Sequence, residues 1–435
     1  MKDLRKDDAR QRSPSSSYPS SSEEEMKKAS PSSSLNTAEQ VIKPRSTPSL
    51  YHRTQTYLHS CVLSQTEQVR AFQRYFGVKS KKEQSWFWYI IFSISAELGN
   101  ESMFATFLPF LFWHVDQHLG IRSVVVWAFI WGFGQYVKEV FRLPRPNIET
   151  RLEFHYDTEY GFPSTHAGGS LALAVTFFGY FLTRYDLSSS VVPWWLEYVM
   201  YLGMVSWVVM CCLSRLYLGV HSPVDIYGGL LISAIQLLLY YVYLIDYVEP
   251  ILLSDSMAVP VCIMVGTAIV LALYSTSMWD DLRKRSECKD VCHLEPAWRS
   301  SYGDTARILG VFAGVLCGMW LFIHQFQPLD LIEKLQNTTV QKPSIQSLFM
   351  SRDYLYMILS SVVGVVVMMI NKEITRRILF YLARKFYLSE KEQSLTMKQV
   401  MTQRYDVEIP IITLTYAAIG FTAVYIVPVY VMKQN

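Results

Sequence analysis

The chain has 435 residues, 51% of them hydrophobic, with a formal net charge of +3. Mean hydropathy is +0.16 despite a long polar amino-terminal stretch, which excludes an ordinary soluble domain and points to a membrane protein. A charge this close to neutral gives no basis for nucleic-acid binding, and the first 50 residues lack the apolar core of a signal peptide.

Residues 1–55 are rich in Ser, Pro and charge, with runs at Ser15, Ser20, Glu23 and Ser32. Too little apolar surface is present to offset the entropy of ordering, so a disordered tail is predicted. Residues 56–85 form a lead-in. Leu58, Val62, Leu63, Val69, Phe72 and Phe76 recur at helical spacing, as in an amphipathic helix lying on a membrane surface. Lys79, Lys81 and Lys82 follow, where anionic lipid attracts them.

A bilayer crossing needs about 20 apolar residues. Stretches near 87–113, 123–141, 168–184, 195–213, 223–245, 258–278, 307–325, 353–371 and 409–431 meet that need. The predicted fold is therefore all-α, a polytopic bundle of about nine transmembrane helices. Residues 86–250 form a six-helix core and 251–435 add further spans. Glu97, Asn100 and Glu101 interrupt the first span. Polar groups at membrane depth are costly, and these three either support a catalytic Lys or Arg or bond neighbouring helices. Cys288 and Cys292 have no second pair at metal spacing and read as plain thiols rather than half a metal site or a disulfide.

Three polar clusters inside residues 138–225 carry the chemistry. The first runs from Lys138 to Arg145-Pro146, the second is Pro163-Ser164-Thr165-His166, and the third is Ser214-Arg215, His221 and Asp225. They supply three permanent cations, two imidazoles, a hydroxyl and a carboxylate, an inventory suited to phosphoryl transfer, where positioning and charge stabilisation dominate. Lys138, Arg145 and Arg215 provide charge for phosphate oxygens, Arg with a planar fork that matches two oxygens at once. No Asp, Glu and His cluster has metal-ligand spacing nearby, so no metal or cofactor is expected and the cations stand where other phosphatases place metals. His221 and Asp225 are four apart, which on a helix shares a face. The carboxylate then holds one ring nitrogen and leaves the other as an in-line nucleophile, giving a phospho-histidine. His166 remains as general acid for the alkoxide leaving group. The three clusters fall at ends of predicted spans, and two spans separate His166 from His221, so both return to one face.

The clusters resemble the three-part signature of the superfamily of type 2 phosphatidic acid phosphatases, glucose-6-phosphatases and vanadium chloroperoxidases. Only Thr165 departs from it, standing where the signature has Gly. In the family the main-chain N–H at that point holds phosphate, so the resemblance adds Ser164 and Thr165 to Lys138, Arg145 and Arg215 as phosphate-binding residues. Around the signature, Glu97-Leu-Gly-Asn-Glu101, Glu159-Tyr-Gly-Phe-Pro-Ser-Thr-His166 and Arg404-Tyr-Asp-Val-Glu-Ile-Pro410 resemble sphingosine-1-phosphate phosphatases over about residues 60–435. The resemblance implies a membrane lipid phosphomonoesterase of the endoplasmic reticulum acting on sphingoid base 1-phosphates. The same signature serves phosphatidate, isoprenoid diphosphates or glucose 6-phosphate, and a non-catalytic lipid-phosphate binder or transporter could share the scaffold. Intact His166, His221 and Asp225 argue against the last. Oligomeric state is not legible.

Topology brings a conflict. Nine spans put the basic segments around Arg283 and 372–404 on the site's face, which the bias of Lys and Arg toward the cytosol would make cytosolic. The Asn337-Thr338-Thr339 sequon falls opposite and agrees. The family resemblance implies a lumenal site, and that side is the expectation adopted. A hairpin in 87–113 broken at Gly99-Asn100 would reconcile the two, as would a lumenal amino terminus.

Overall fold

The computed structural model describes residues 50–152, 160–185, 194–277, 301–336 and 353–431. The tail before Leu50, the Arg283 segment, Cys288, Cys292, Glu159, the Glu101 side chain and the Asn337 sequon lie outside them. The described residues are helical throughout their regular structure: α1 (Leu50–Tyr75), α2 (Trp86–Glu97), α3 (Glu101–Phe110), α4 (Gln117–Phe141), α5 (Thr165–Arg184), α6 (Leu196–Tyr217), α7 (Pro223–Leu239), α8 (Ile245–Val248), α9 (Ala258–Ser277), α10 (Ser301–Phe326), α11 (Leu329–Leu335), α12 (Tyr354–Phe386), α13 (Glu390–Gln393), α14 (Met397–Gln403) and α15 (Tyr405–Phe421). The chain is a polytopic all-α membrane bundle.

Six of the described helical stretches are long and apolar enough to cross a membrane: α6, α7 continued through α8, α9, α10, α12, and α15 with its extension to Tyr430. The other predicted crossings are helical too, but they are less apolar for a structural reason. In α4, His118, Arg122, Gln135, Lys138 and Glu139 are all buried, so their polar groups face protein rather than lipid. A bundle centre tolerates such residues where a lipid-facing helix does not.

The first predicted span is one crossing interrupted at Leu98–Asn100, not a hairpin. Its partners on α6 follow one another in order. The Phe92 and Tyr217 rings stack at 4.6 Å, Cys211 donates to the Ser95 carbonyl, and the Phe107 ring lies 6.0 Å from that of Trp207. The chain therefore descends continuously past α6, and the hairpin that would have moved the amino terminus to the other face is ruled out.

The signature lies on α4–α7 and the turns between them, and α10 packs against α4. Within α10's apolar stretch 67% is buried and within α15's 56%, against 17% in α6, α9 and α12, so α10 and α15 form the inner layer of the carboxyl-terminal half. They run parallel and close because small residues line their seam. A Cβ added at Gly314 would fall 1.9 Å from the Ala417 carbonyl oxygen, and one at Gly310 2.4 Å from that of Thr413. The inner layer meets the core where Gln135, one turn before Lys138, donates to Asp304 of α10 at 2.8 Å.

At the end away from the site, Arg122 forks onto Glu249 at 2.6 and 2.7 Å, and His118 Nε2 lies 2.7 Å from the same carboxylate. The group is buried and ties α4 to the end of the α7–α8 stretch. Removing one partner of such a buried pair typically costs about 3–5 kcal/mol.

The amphipathic lead-in is helical as expected, but it begins at Leu50, so the predicted tail boundary at residue 55 falls inside α1. Its polar side chains explain both its start and its position. Tyr51 donates to the Val140 carbonyl at 2.6 Å and Gln55 to that of Phe141 at 2.9 Å, at the end of α4. Gln65 accepts from Val224 N–H at 2.8 Å, at the start of α7. Gln73, buried, donates to the Tyr217 carbonyl at 2.8 Å, at the end of α6. Helix ends leave backbone groups without intrahelical partners, and α1 satisfies them at the helix ends that carry the signature.

Candidate active site

Lys138 lies in the last turn of α4. That helix ends at Arg142, whose backbone is left-handed (φ 51°) and whose N–H returns to the Lys138 carbonyl at 2.8 Å. The reversal sends Leu143-Pro144-Arg145 back across the bundle end, and Gly161 N–H pins the strap by donating to the Leu143 carbonyl at 2.8 Å. Arg145 Nη1 then reaches the Val220 carbonyl at 3.0 Å and lies 3.2 Å from His221 Nε2.

Ser164 caps α5, its Oγ accepting from Ala167 N–H, and its own N–H donates to the main-chain carbonyl of Asp225 at 2.9 Å. The second cluster is thus bonded to the third through backbone. His166 falls in the first turn, with its ring edge-on to Trp131 at 5.7 Å. A helix amino terminus presents N–H groups and a positive dipole end to an anion, and α5 offers both beside the cations.

Arg215, in the last turn of α6, is 1% exposed. The helix closes at Gly219 in a left-handed conformation (φ +72°), which glycine adopts without strain. Val220 N–H bonds back to the Arg215 carbonyl at 3.2 Å. His221 does not stand on a helix, as its spacing to Asp225 suggested. It precedes the cap of α7, where Ser222 and Asp225 form a reciprocal capping box with Pro223 in the first turn. Asp225 Oδ2 accepts from Ser222 N–H at 2.7 Å and lies 3.7 Å from His221 Nδ1, ion-pair rather than hydrogen-bond distance. The two residues still face each other, through a cap rather than a helix face.

All the predicted site residues come together. Lys138, Arg145, Ser164, Thr165, His166, Arg215, His221 and Asp225 are buried, and Lys138, Arg145 and Arg215 act electrostatically on both His166 and His221. Three buried cations around two imidazoles form a concentration of positive charge that favours an anion among them. Burial, reinforced by Arg145, Lys138, His166 and Arg215, holds the His221 imidazole well below the ordinary histidine range. It is therefore neutral near pH 7, with its Nε2 lone pair turned toward Arg145.

Asn100 was legible as a polar interruption, but its partner was not. Asn100 Oδ1 lies 3.2 Å from His166 Nε2, and Asn100 Nδ2 donates to Glu97 at 3.0 Å. Of the two open readings, this contact fits a bond between neighbouring helices, joining the α2–α3 break to α5, and the partner it meets there is His166. Arg404, in the third stretch of family resemblance, pairs with Asp406 at 2.8 and 2.9 Å and with Glu392, fastening the start of α15.

The PAP2 superfamily profile matches residues 119–248, from the start of α4 to the end of α8. Sphingosine-1-phosphate phosphatase 2 of Mus musculus is 30% identical over 383 residues, covering 84% of this chain and 96% of its own. The chain belongs to the sphingosine-1-phosphate phosphatase family. Within it, sphingosine-1-phosphate phosphatase 1 of Rattus norvegicus is 27% identical over 78% of this chain and 71% of its own. Dihydrosphingosine 1-phosphate phosphatase of Schizosaccharomyces pombe is 26% identical over 53% and 52%. No solved structure matches.

The departure from the family's signature at Thr165 has a local counterpart. A Cβ added at Gly134 of α4 would lie 2.8 Å from Thr165 Cγ2, so the Thr methyl occupies room that Gly134 provides. Thr165→Gly is expected to retain activity within about a few-fold, because the main-chain N–H survives and only a small void opens. Gly134→Ala is expected to be the more harmful change, by overpacking worth about 1–3 kcal/mol, and Thr165→Gly should relieve it. Phosphate-release rates of the two single variants and the double variant check this. A loss in Thr165→Gly as deep as that of a histidine variant would show that the hydroxyl itself takes part.

Proposed function

We propose that this protein hydrolyses sphingoid base 1-phosphates, such as sphingosine or dihydrosphingosine 1-phosphate, to the free base and inorganic phosphate through a phospho-histidine. The observation that carries the reading is the pose of His221. Its Nε2 faces the cationic cluster while Nδ1 faces Asp225. Nε2 attacks phosphorus in line with the ester oxygen. Lys138, Arg145, Arg215 and the first turn of α5 stabilise the charge on the equatorial oxygens. His166 protonates the departing alkoxide, and then activates the water that releases phosphate from His221. Asp225 orients His221 and stabilises its charge as the bond to phosphorus forms.

The experiment is phosphate release by the purified protein in detergent, with and without EDTA, across dihydrosphingosine 1-phosphate, phosphatidate and glucose 6-phosphate. The expected result is preference for the single-chain sphingoid phosphate, undiminished by EDTA because Lys138, Arg145 and Arg215 supply the charge. Equal or faster turnover of phosphatidate contradicts the substrate. Loss of activity with EDTA and its return with magnesium contradicts the site chemistry.

The reading places the enzyme in the endoplasmic reticulum membrane with the site facing the lumen, following the family resemblance. Helix α10 begins beside the end of α4, so the chain reaches Gln336, just before the sequon, on the face opposite the site. A lumenal site then leaves Asn337 in the cytosol and unglycosylated. A glycosidase-sensitive mass shift that Asn337→Gln abolishes would reverse the orientation.

A further inference from the structure

The break between α2 and α3 lies against the acid histidine. A Cβ added at Gly99 would fall 3.6 Å from His166 Cδ2, so the chain passes the ring at close contact. From this break Asn100 reaches His166 at 3.2 Å, and Glu97 holds the Asn100 amide at 3.0 Å. Glu97 is exposed and Asn100 partly so. A carboxylate therefore stands one amide group away from the histidine at which the leaving oxygen is protonated.

That placement is awkward for a plain phosphate ester. Apart from Asp225, which stands behind His221, the charges brought to the phosphate are positive, and an acidic side chain at the leaving-group side repels an incoming dianion. The repulsion becomes attraction if the substrate carries its own cation beside the ester oxygen. A sphingoid base 1-phosphate does so. Its ammonium is on the carbon next to the one bearing the phosphate oxygen, only three covalent bonds from the atom that His166 protonates. Phosphatidate carries an acyl ester there instead.

We propose that Glu97, braced by Asn100 at the break between α2 and α3, pairs with the substrate ammonium and so selects amino-phosphates over uncharged lipid phosphates. The inference rests on the function proposed above and names the residue that reads the substrate's amine.

The test compares wild type and Glu97→Gln, full-length in detergent, on three chain-matched substrates. These are dihydrosphingosine 1-phosphate, its N-acetyl derivative and octadecyl phosphate. Glu97→Gln is expected to lower kcat/KM for the free amine by about 10- to 100-fold, the worth of one charge-assisted hydrogen bond. The N-acetyl and alkyl phosphates should change by less than about threefold, and their turnover reports that the variant is folded. Equal losses on all three substrates would mean that Glu97 acts only through Asn100 on His166, which overturns the inference. So would no loss on any. A wild-type protein that cleaves octadecyl phosphate as well as the amine defeats the inference while leaving phosphomonoester hydrolysis in place. One inert toward all three defeats the proposed function and the inference with it.

Discussion

His221→Ala is expected to abolish turnover of a sphingoid phosphate and of an activated aryl phosphate alike. The attacking atom is lost, and leaving-group activation cannot replace it. Arg145 Nη1, 3.2 Å from His221 Nε2, is no substitute, being a permanent cation without a lone pair to give. Asp225→Asn should fall between wild type and His221→Ala. The ring remains, but the group 3.7 Å from Nδ1 no longer carries the charge that stabilises phospho-histidine formation. The same substitution changes the acceptor of Ser222 N–H, so part of the loss is a looser cap on α7. Steady-state phosphate release measures both variants. A His221→Ala rate within tenfold of wild type on either substrate would remove His221 from the chemistry.

His166→Ala should separate the two substrates instead. Loss of a general acid costs about 10²–10⁴-fold when the leaving group is a poor alkoxide. An activated aryl phosphate departs without a proton and should suffer much less, provided hydrolysis of the phospho-enzyme has not become limiting. The structure adds a control. Asn100→Ala removes the group 3.2 Å from His166 Nε2 and leaves the imidazole, so it should show the same substrate dependence at smaller depth. Matched rates on dihydrosphingosine 1-phosphate and an aryl phosphate read the split directly. Equal losses on both substrates in His166→Ala would deny it the role of acid.

The catalytic inventory was legible because phosphoryl transfer demands particular residue types at short separations, and each cluster is compact in sequence. The bundle was legible because apolar length is set by the bilayer. What failed to show were contacts between distant segments. Asn100 and His166 are 66 residues apart and Gln73 and Tyr217 are 144 apart, and no local pattern encodes such pairings. Two signals were present but unused. Ser222-Pro223-Val224-Asp225 is a capping box with Pro in the first turn, which places the helix start after His221. Gln55 and Gln73 are about five turns apart on one face of α1, a polar register unlike that of a helix resting only on lipid. The burial of polar residues in α4, among them His118, Arg122 and Lys138, is likewise something that apolar length does not show.

The central claim is that His221 carries the phosphoryl group and His166 does not. The direct measurement is acid-labile phosphate bound to the protein after rapid quench with labelled dihydrosphingosine 1-phosphate. Wild type should show transient label and His221→Ala none. Label formed by His166→Ala on an aryl phosphate should persist, because the residue that activates the hydrolytic water is gone. Label present in His221→Ala and absent from His166→Ala would contradict the account and exchange the two roles.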